Sequence, residues 1–160
     1  MRKIIIFVLT VSLVSILLYQ PVPVVRFYNN TEEDVYLFYG ESKCTDEPDE
    51  EEVAKLMKPE LIPSKETLTF SPGIINIFRS DRCMYTGWRM GSHAHPLRKG
   101  SRAFMIKSDS DACVISVIFN TKEDVIKNNE SLFCYKRLTP FDAFDAFDAF
   151  DAFDAFENQN

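Results

Sequence analysis

The segment RSDRCMYTGWRMGSHAHPLRKGSR, residues 79–102, gathers the side chains of this chain best suited to chemistry. It carries Arg79, Arg82, Arg89, Arg98, Lys99 and Arg102 against Asp81 alone, and it holds both histidines of the sequence, His93 and His95. Two residues apart on a strand, the imidazoles point to one face, an arrangement found among metal ligands. A divalent ion needs a third and usually a fourth ligand, and none stands near in sequence, so no metal site is assigned. The stretch from Gly91 to Gly100 reads as a polar surface loop. Indole and guanidinium groups give much rigid contact at small entropic cost, which is why they recur at interface hot spots. Trp88, Arg89, His93, His95, Arg98 and Arg102 are therefore the expected partner-binding residues.

Catalysis finds less support. A nucleophile elbow Gly-x-Ser-x-Gly, a His-Glu-x-x-His helix and a phosphate loop are all absent from the sequence. Cys83 with His93 or His95 could form a nucleophilic pair, but Cys44, Cys83, Cys113 and Cys134 are even in number and each is better read as bridged. The expectation is a protein that is not an enzyme and needs no cofactor. A hydrolase whose groups converge only in the fold is the third reading, behind a module that binds metal or a small ligand through His93 and His95. The acidic run ESKCTDEPDEEE, residues 41–52, lacks the order of an EF-hand calcium loop and is read as a solvated loop entering a helix N-terminus.

The four cysteines lie 39, 30 and 21 residues apart with no Cys-x-x-Cys pair. Zinc ligands usually come in close pairs, so disulfides in an oxidising compartment are the better assignment. Three connectivities are possible. A hairpin pairing residues 112–119 with 132–138 would set Cys134 opposite a residue near Val117, which argues mildly against a Cys113–Cys134 bridge. The N-terminus agrees with export: Arg2 and Lys3 precede residues 4–19, which carry no charge and only Thr10, Ser12 and Ser15 as polar breaks. Continued to Val25 this run is 22 residues, long enough to span a membrane, and no small-residue cleavage pattern follows it. Residues 1–25 are thus expected to be a signal anchor, with the cations in the cytoplasm and the rest of the chain outside, periplasmic or extracellular. Asn29 and Asn129 open glycosylation sequons, of use only in a host that glycosylates.

These groups must be positioned by about 115 residues between anchor and tail, enough for one domain with a modest core. Aromatic and β-branched runs dominate it: VVRFYN (24–29), DVYLFYG (34–40), ETLTF (66–70), GIINIFR (73–79), CMYTGWRM (83–90), AFMIK (103–107), ACVISVIF (112–119) and LFCYKRL (132–138). Turn residues separate them, which predicts a small antiparallel β-sandwich over residues 26–140. The first two runs read as a hairpin about residues 30–33, and the next two as a hairpin about Ser71, Pro72 and Gly73. The run 112–119, apolar on both parities, is placed centrally. One helix is expected at residues 49–58 and a helical turn from Thr121.

The chain ends in a Phe-Asp-Ala repeat from Phe141 to Ala155, within a tail, 141–160, that holds five Asp and one Glu and no cation. The remaining 140 residues balance 18 basic against 18 acidic groups, so the net charge of −6 belongs wholly to the tail and nothing in the charge proposes nucleic acid as partner. A period of three fits neither helix nor strand, and such a segment cannot bury its aromatics without a partner surface. It reads as a low-complexity attachment whose removal leaves stability and binding unchanged. Together these features predict a membrane-anchored, extracytoplasmic interaction protein with a protein partner, of the inhibitor or immunity kind that neutralises a toxin or hydrolase.

Overall fold

A computed structural model describes residues 22–44, 58–92, 95–108, 112–129 and 134–141. Residues 1–21 of the expected anchor, residues 49–57 of the helix expected at 49–58, His93 and the tail from Asp142 onward lie outside these residues. Val24 and Val25, assigned from sequence to the end of the anchor, instead open the first strand of the domain, with Val25 fully buried in its core. Among the described residues no helix is long and apolar enough to cross a membrane.

The apolar runs form two facing sheets. The first has strands β1 (Val24–Asn29), β4 (Thr67–Phe70), β7 (Val114–Phe119) and β8 (Val125–Asn129) in the order β4-β1-β7-β8. In the second, β2 (Val35–Lys43), β3 (Glu60–Ile62), β5 (Arg82–Gly91), β6 (Pro96–Lys107) and β9 (Arg137–Phe141) follow the order β3-β2-β5-β6-β9. One short helix, α1 (Ile74–Phe78), joins β4 to β5. Alternate residues of both sheets face inward: Val25 and Phe27 of β1, Leu37 of β2, Phe104 and Ile106 of β6, and Ile115, Val117 and Phe119 of β7 are all buried in one core. Phe27 sits at its centre, with the rings of Phe70, Phe119 and Phe104 at 5.9, 6.0 and 6.5 Å.

The β-sandwich expected from the strand pattern is present, with several departures in how it is wired. Strands β1 and β2 do not form a hairpin; they lie in opposite sheets, and β1 pairs instead with β4 antiparallel and with β7 in parallel along all six of its residues. All the other strand pairs are antiparallel. The parallel pair joins segments about ninety residues apart, and parallel strands need a long crossover, so no local turn signal announces it. The corner between β1 and β2 is held by Asn29, whose Oδ1 accepts from the Thr31 amide (3.0 Å) and hydroxyl (2.7 Å) while its Nδ2 donates to the carbonyls of Glu33 (2.7 Å) and Ile62 (3.0 Å). Asn29 is fully buried and its amide is satisfied at both ends, whereas Asn129 is exposed. In a glycosylating host the folded protein should therefore carry glycan at Asn129 and not at Asn29, and peptide mapping by mass spectrometry checks this.

The run GIINIFR is helical rather than extended. Gly73 opens α1, and the Glu41 carboxylate reaches from β2 to accept from the Gly73 amide (2.9 and 3.1 Å) and from Asn76 Nδ2 (2.6 Å). This tertiary anchor overrides the strand preference of the isoleucines. At the other correction, residues 121–124 form a turn, not a helix start, and lead into β8, which pairs with β7 where the sequence reading had placed a loop. Strand β7 is central as expected, although only one face of it is fully buried.

Both disulfides form, Cys44–Cys83 with Cα atoms 5.0 Å apart and Cys113–Cys134 at 5.9 Å. The second overturns the argument against that pairing. The hairpin partner of β7 is β8, so the segment holding Cys134 is free to cross to the other sheet, where β9 pairs with β6. The bridge thus ties the start of β7 in one sheet to the approach to β9 in the other, beside an Ala112–Leu138 backbone bridge. Two disulfides indicate an oxidising, extracytoplasmic environment. Phe141, the first residue of the repeat, belongs to the domain: it pairs with Ala103 and packs on the outer cluster of Cys83, Tyr85 and Ala103.

Candidate recognition site

Strand alternation divides the predicted partner-binding set. On β5 and β6 the inward parity carries Met84, Thr86, Trp88 and Met90 opposite Phe104, Arg102, Gly100 and Arg98, while Arg89 and Lys99 pair on the outer face. Trp88 is therefore a core residue, 4% exposed, its indole against Phe119 at 5.2 Å. A residue this buried cannot anchor a partner on the surface of the folded domain. The expectation set it on the surface as a contact residue, but its parity on β5 sends it inward. Arg89 does lie outside, with its guanidinium 5.5 Å from the centre of the Phe38 ring. His95 is exposed in the connection between β5 and β6. The described members of the set therefore occupy two faces of one sheet and do not form a single surface.

The inner members instead make a polar edge to the core. Arg98 forms an ion pair and hydrogen bond with Asp124, which stands at the turn between β7 and β8, so the contact crosses between the sheets. The indole lies over Gly100, between Arg98 and Arg102 along β6. The buried Trp88 Nε1 and Arg98 Nε find no hydrogen-bond acceptor. Burial pushes the Asp124 carboxyl above its ordinary value of 3.8, with the Arg98 guanidinium and, more weakly, Arg102 pulling the other way. Below the ordinary value both folded and unfolded chains are protonated; above it the unfolded chain releases its proton first and the native state ionises at a cost. Stability contributed here is therefore present at low pH and lost as pH rises through the raised value. Measured against Asp124→Asn, which does not titrate, the wild type should lose stability as pH rises from below the ordinary value of 3.8 through the raised one; a constant difference between the two melting curves would refute the assignment.

A different surface is exposed at the end of the sandwich occupied by α1. Ile77 turns inward at 3% exposure, while Ile75 and Phe78 are 65% and 71% exposed. The Phe78 ring lies 5.5 Å from that of Tyr135, tilted by 48°, and Tyr135 is itself half-exposed. Lys136 Nζ donates to the Arg79 carbonyl at 2.6 Å, locking the segment after α1 to the approach to β9. Each side is also next to a disulfide: Cys134 precedes Tyr135, and the Cys44 amide donates to the Asp81 carbonyl at 3.0 Å. The segments 78–82 and 135–137 also carry Arg79, Arg82 and Arg137 at least partly exposed against Asp81, while Lys136 is buried, so the sequence around the aromatic patch is net cationic. Large exposed aromatics on a rigid support are the kind of surface that partners bury.

This patch was not found from sequence because GIINIFR reads as a strand, in which Ile75 and Ile77 share a face; in the helix they part. Gly73 followed by Ile74, with Glu41 far away in sequence, offers no local helix signal. Among the described residues no group of three or more His, Cys, Asp or Glu side chains is placed to hold a metal ion. No family model, no curated protein and no solved structure matches this chain.

Proposed function

We propose that the chain is a membrane-anchored, extracytoplasmic interaction protein without catalytic activity, which captures a protein partner through the α1 end of its sandwich, in the manner of an inhibitor or immunity protein acting on a toxin or hydrolase. The observation that carries the reading is the solvent-facing pair of contacting rings Phe78 and Tyr135, held between two disulfide-tied segments. Folding normally covers such rings, and here the covalent ties keep them presented at little further entropic cost on binding. Arg79 and Arg137, which flank the rings in sequence and are at least partly exposed, favour a partner with an acidic face. The apolar run 4–21, with Arg2 and Lys3 before it, supports attachment to the cytoplasmic membrane with the domain outside.

The test is capture from the envelope of the native host with the full chain, its disulfides intact, beside a Phe78→Ser, Arg79→Glu variant. The reading expects one stoichiometric partner held by the wild type and lost by the variant, with the partner's toxic or hydrolytic activity suppressed by the wild type alone. Equal capture by both proteins would remove the α1 surface from consideration.

A further inference from the structure

We infer that the Phe-Asp-Ala tail docks on the α1 end of its own domain and there competes with the partner. Each triplet from Asp142 onward offers one phenyl ring and one carboxylate, and the α1 surface offers the complementary pair: the exposed Phe78 and Tyr135 rings, with the exposed Arg79 next to the first in sequence and the half-buried Arg137 two residues after the second. The tail needs a surface to bury its rings, and this is an aromatic surface of opposite charge.

Reach is ample. The tail departs at Phe141, the last residue of β9, and Tyr135 lies just before that strand begins. Returning along β9 takes roughly 20 Å, which six or seven extended residues span; residues 142–156 supply 15. Tethering by so short a link sets an effective concentration on the order of millimolar, so a contact far too weak to form between separate molecules is occupied within one.

The period of three, which fits no regular face, is no obstacle to this contact. A single triplet docks at a time, and the identical triplets are interchangeable, so repetition multiplies the ways of being bound without requiring one ordered tail. Repeat number then tunes how strongly a partner must bind to displace the tail. This departs from the expectation, drawn from the sequence alone, that the tail leaves binding unaffected. The inference uses the same surface as the proposed partner-binding reading but needs no foreign protein, so cross-linking and partner capture can fail independently.

The experiment places p-benzoylphenylalanine at position 78 of the full chain in membranes or detergent, with irradiation and mass spectrometry of the digested product. Phe78 is largely exposed, so the fold tolerates the change; the reciprocal probe at position 150 leaves the domain untouched. The expected result is a cross-link between residue 78 and residues 142–156 in a band of monomer mass, reduced at least fivefold by Arg79→Glu with Arg137→Glu. Absence of the cross-link from both probes, its appearance in a dimer band only, capture of lipid by the tail probe instead, or indifference to the charge reversal would each overturn the inference.

Discussion

Replacing Cys113 and Cys134 together by serine is expected to lower stability by about 3 kcal/mol, and replacing Cys44 and Cys83 by about 4 kcal/mol, because the cross-links close loops of 21 and 39 residues in the unfolded chain. For a domain of this size, losses of that order move the melting temperature by roughly 12 °C or more. The two bridges should differ in what else they change. Cys44–Cys83 joins strands β2 and β5, which already pair over nine residue positions, so its loss leaves the sheet laddered. Cys113–Cys134 ties one sheet to the other and sets the position of Tyr135 beside Phe78, so its loss should also weaken capture through the α1 surface. Thermal unfolding of the full chain with and without reductant, followed by capture with each serine pair, measures both effects. A shift below about 1 kcal/mol for either pair would mean that the bridge restricts the unfolded chain far less than loop closure predicts.

Trp88→Ala is expected to cost about 3–5 kcal/mol, the usual range for removing a buried tryptophan from a packed core. The indole is covered by Phe119 on one sheet and by the Gly100 backbone on its own, so the vacated space cannot close without moving β6 against β7. The complementary change tests the same packing from the other side. A Cβ added at Gly100 would lie 2.4 Å from the indole Cζ2, well inside contact distance, so Gly100→Ala should destabilise by about 1–3 kcal/mol through overpacking. Were Trp88 a surface anchor, its removal would weaken partner capture and leave the melting temperature unchanged. Loss of stability places it in the core, and the same melting experiment reads both outcomes.

These two cases mark what local sequence pattern can carry. Several strand positions are legible in runs of aromatic and β-branched residues between turn residues: VVRFYN is β1 residue for residue, and CMYTGWRM lies within β5, although GIINIFR, of like composition, is helical. Pairing partners were not, since a strand's neighbours depend on burial across the whole chain. Thus residues 30–34 look like a hairpin turn but carry the chain from one sheet to the other, and β1 finds its parallel neighbour in β7. The same limit governed the candidate site. Residue type marks Trp88 and Arg98 as good contact groups, yet the parity that turns Trp88 into the core and Arg98 toward Asp124 is set by register on β5 and β6. Phe78 was passed over because Glu41, 32 residues before Gly73, decides that its segment is a helix.

By itself the sequence determined the β-rich class, the even cysteine count suited to an oxidising compartment, and the segregation of the net negative charge into the tail. Each of these follows from composition or from short-range periodicity, which the chain carries whether or not it is folded. Only the tertiary structure decided the cysteine pairing, the parallel β1–β7 contact, the burial of Trp88 and Asn29, and the exposure of Phe78 beside Tyr135. All of them depend on which distant segments share a sheet or face each other across the core, and that choice is made by the burial of the whole chain at once.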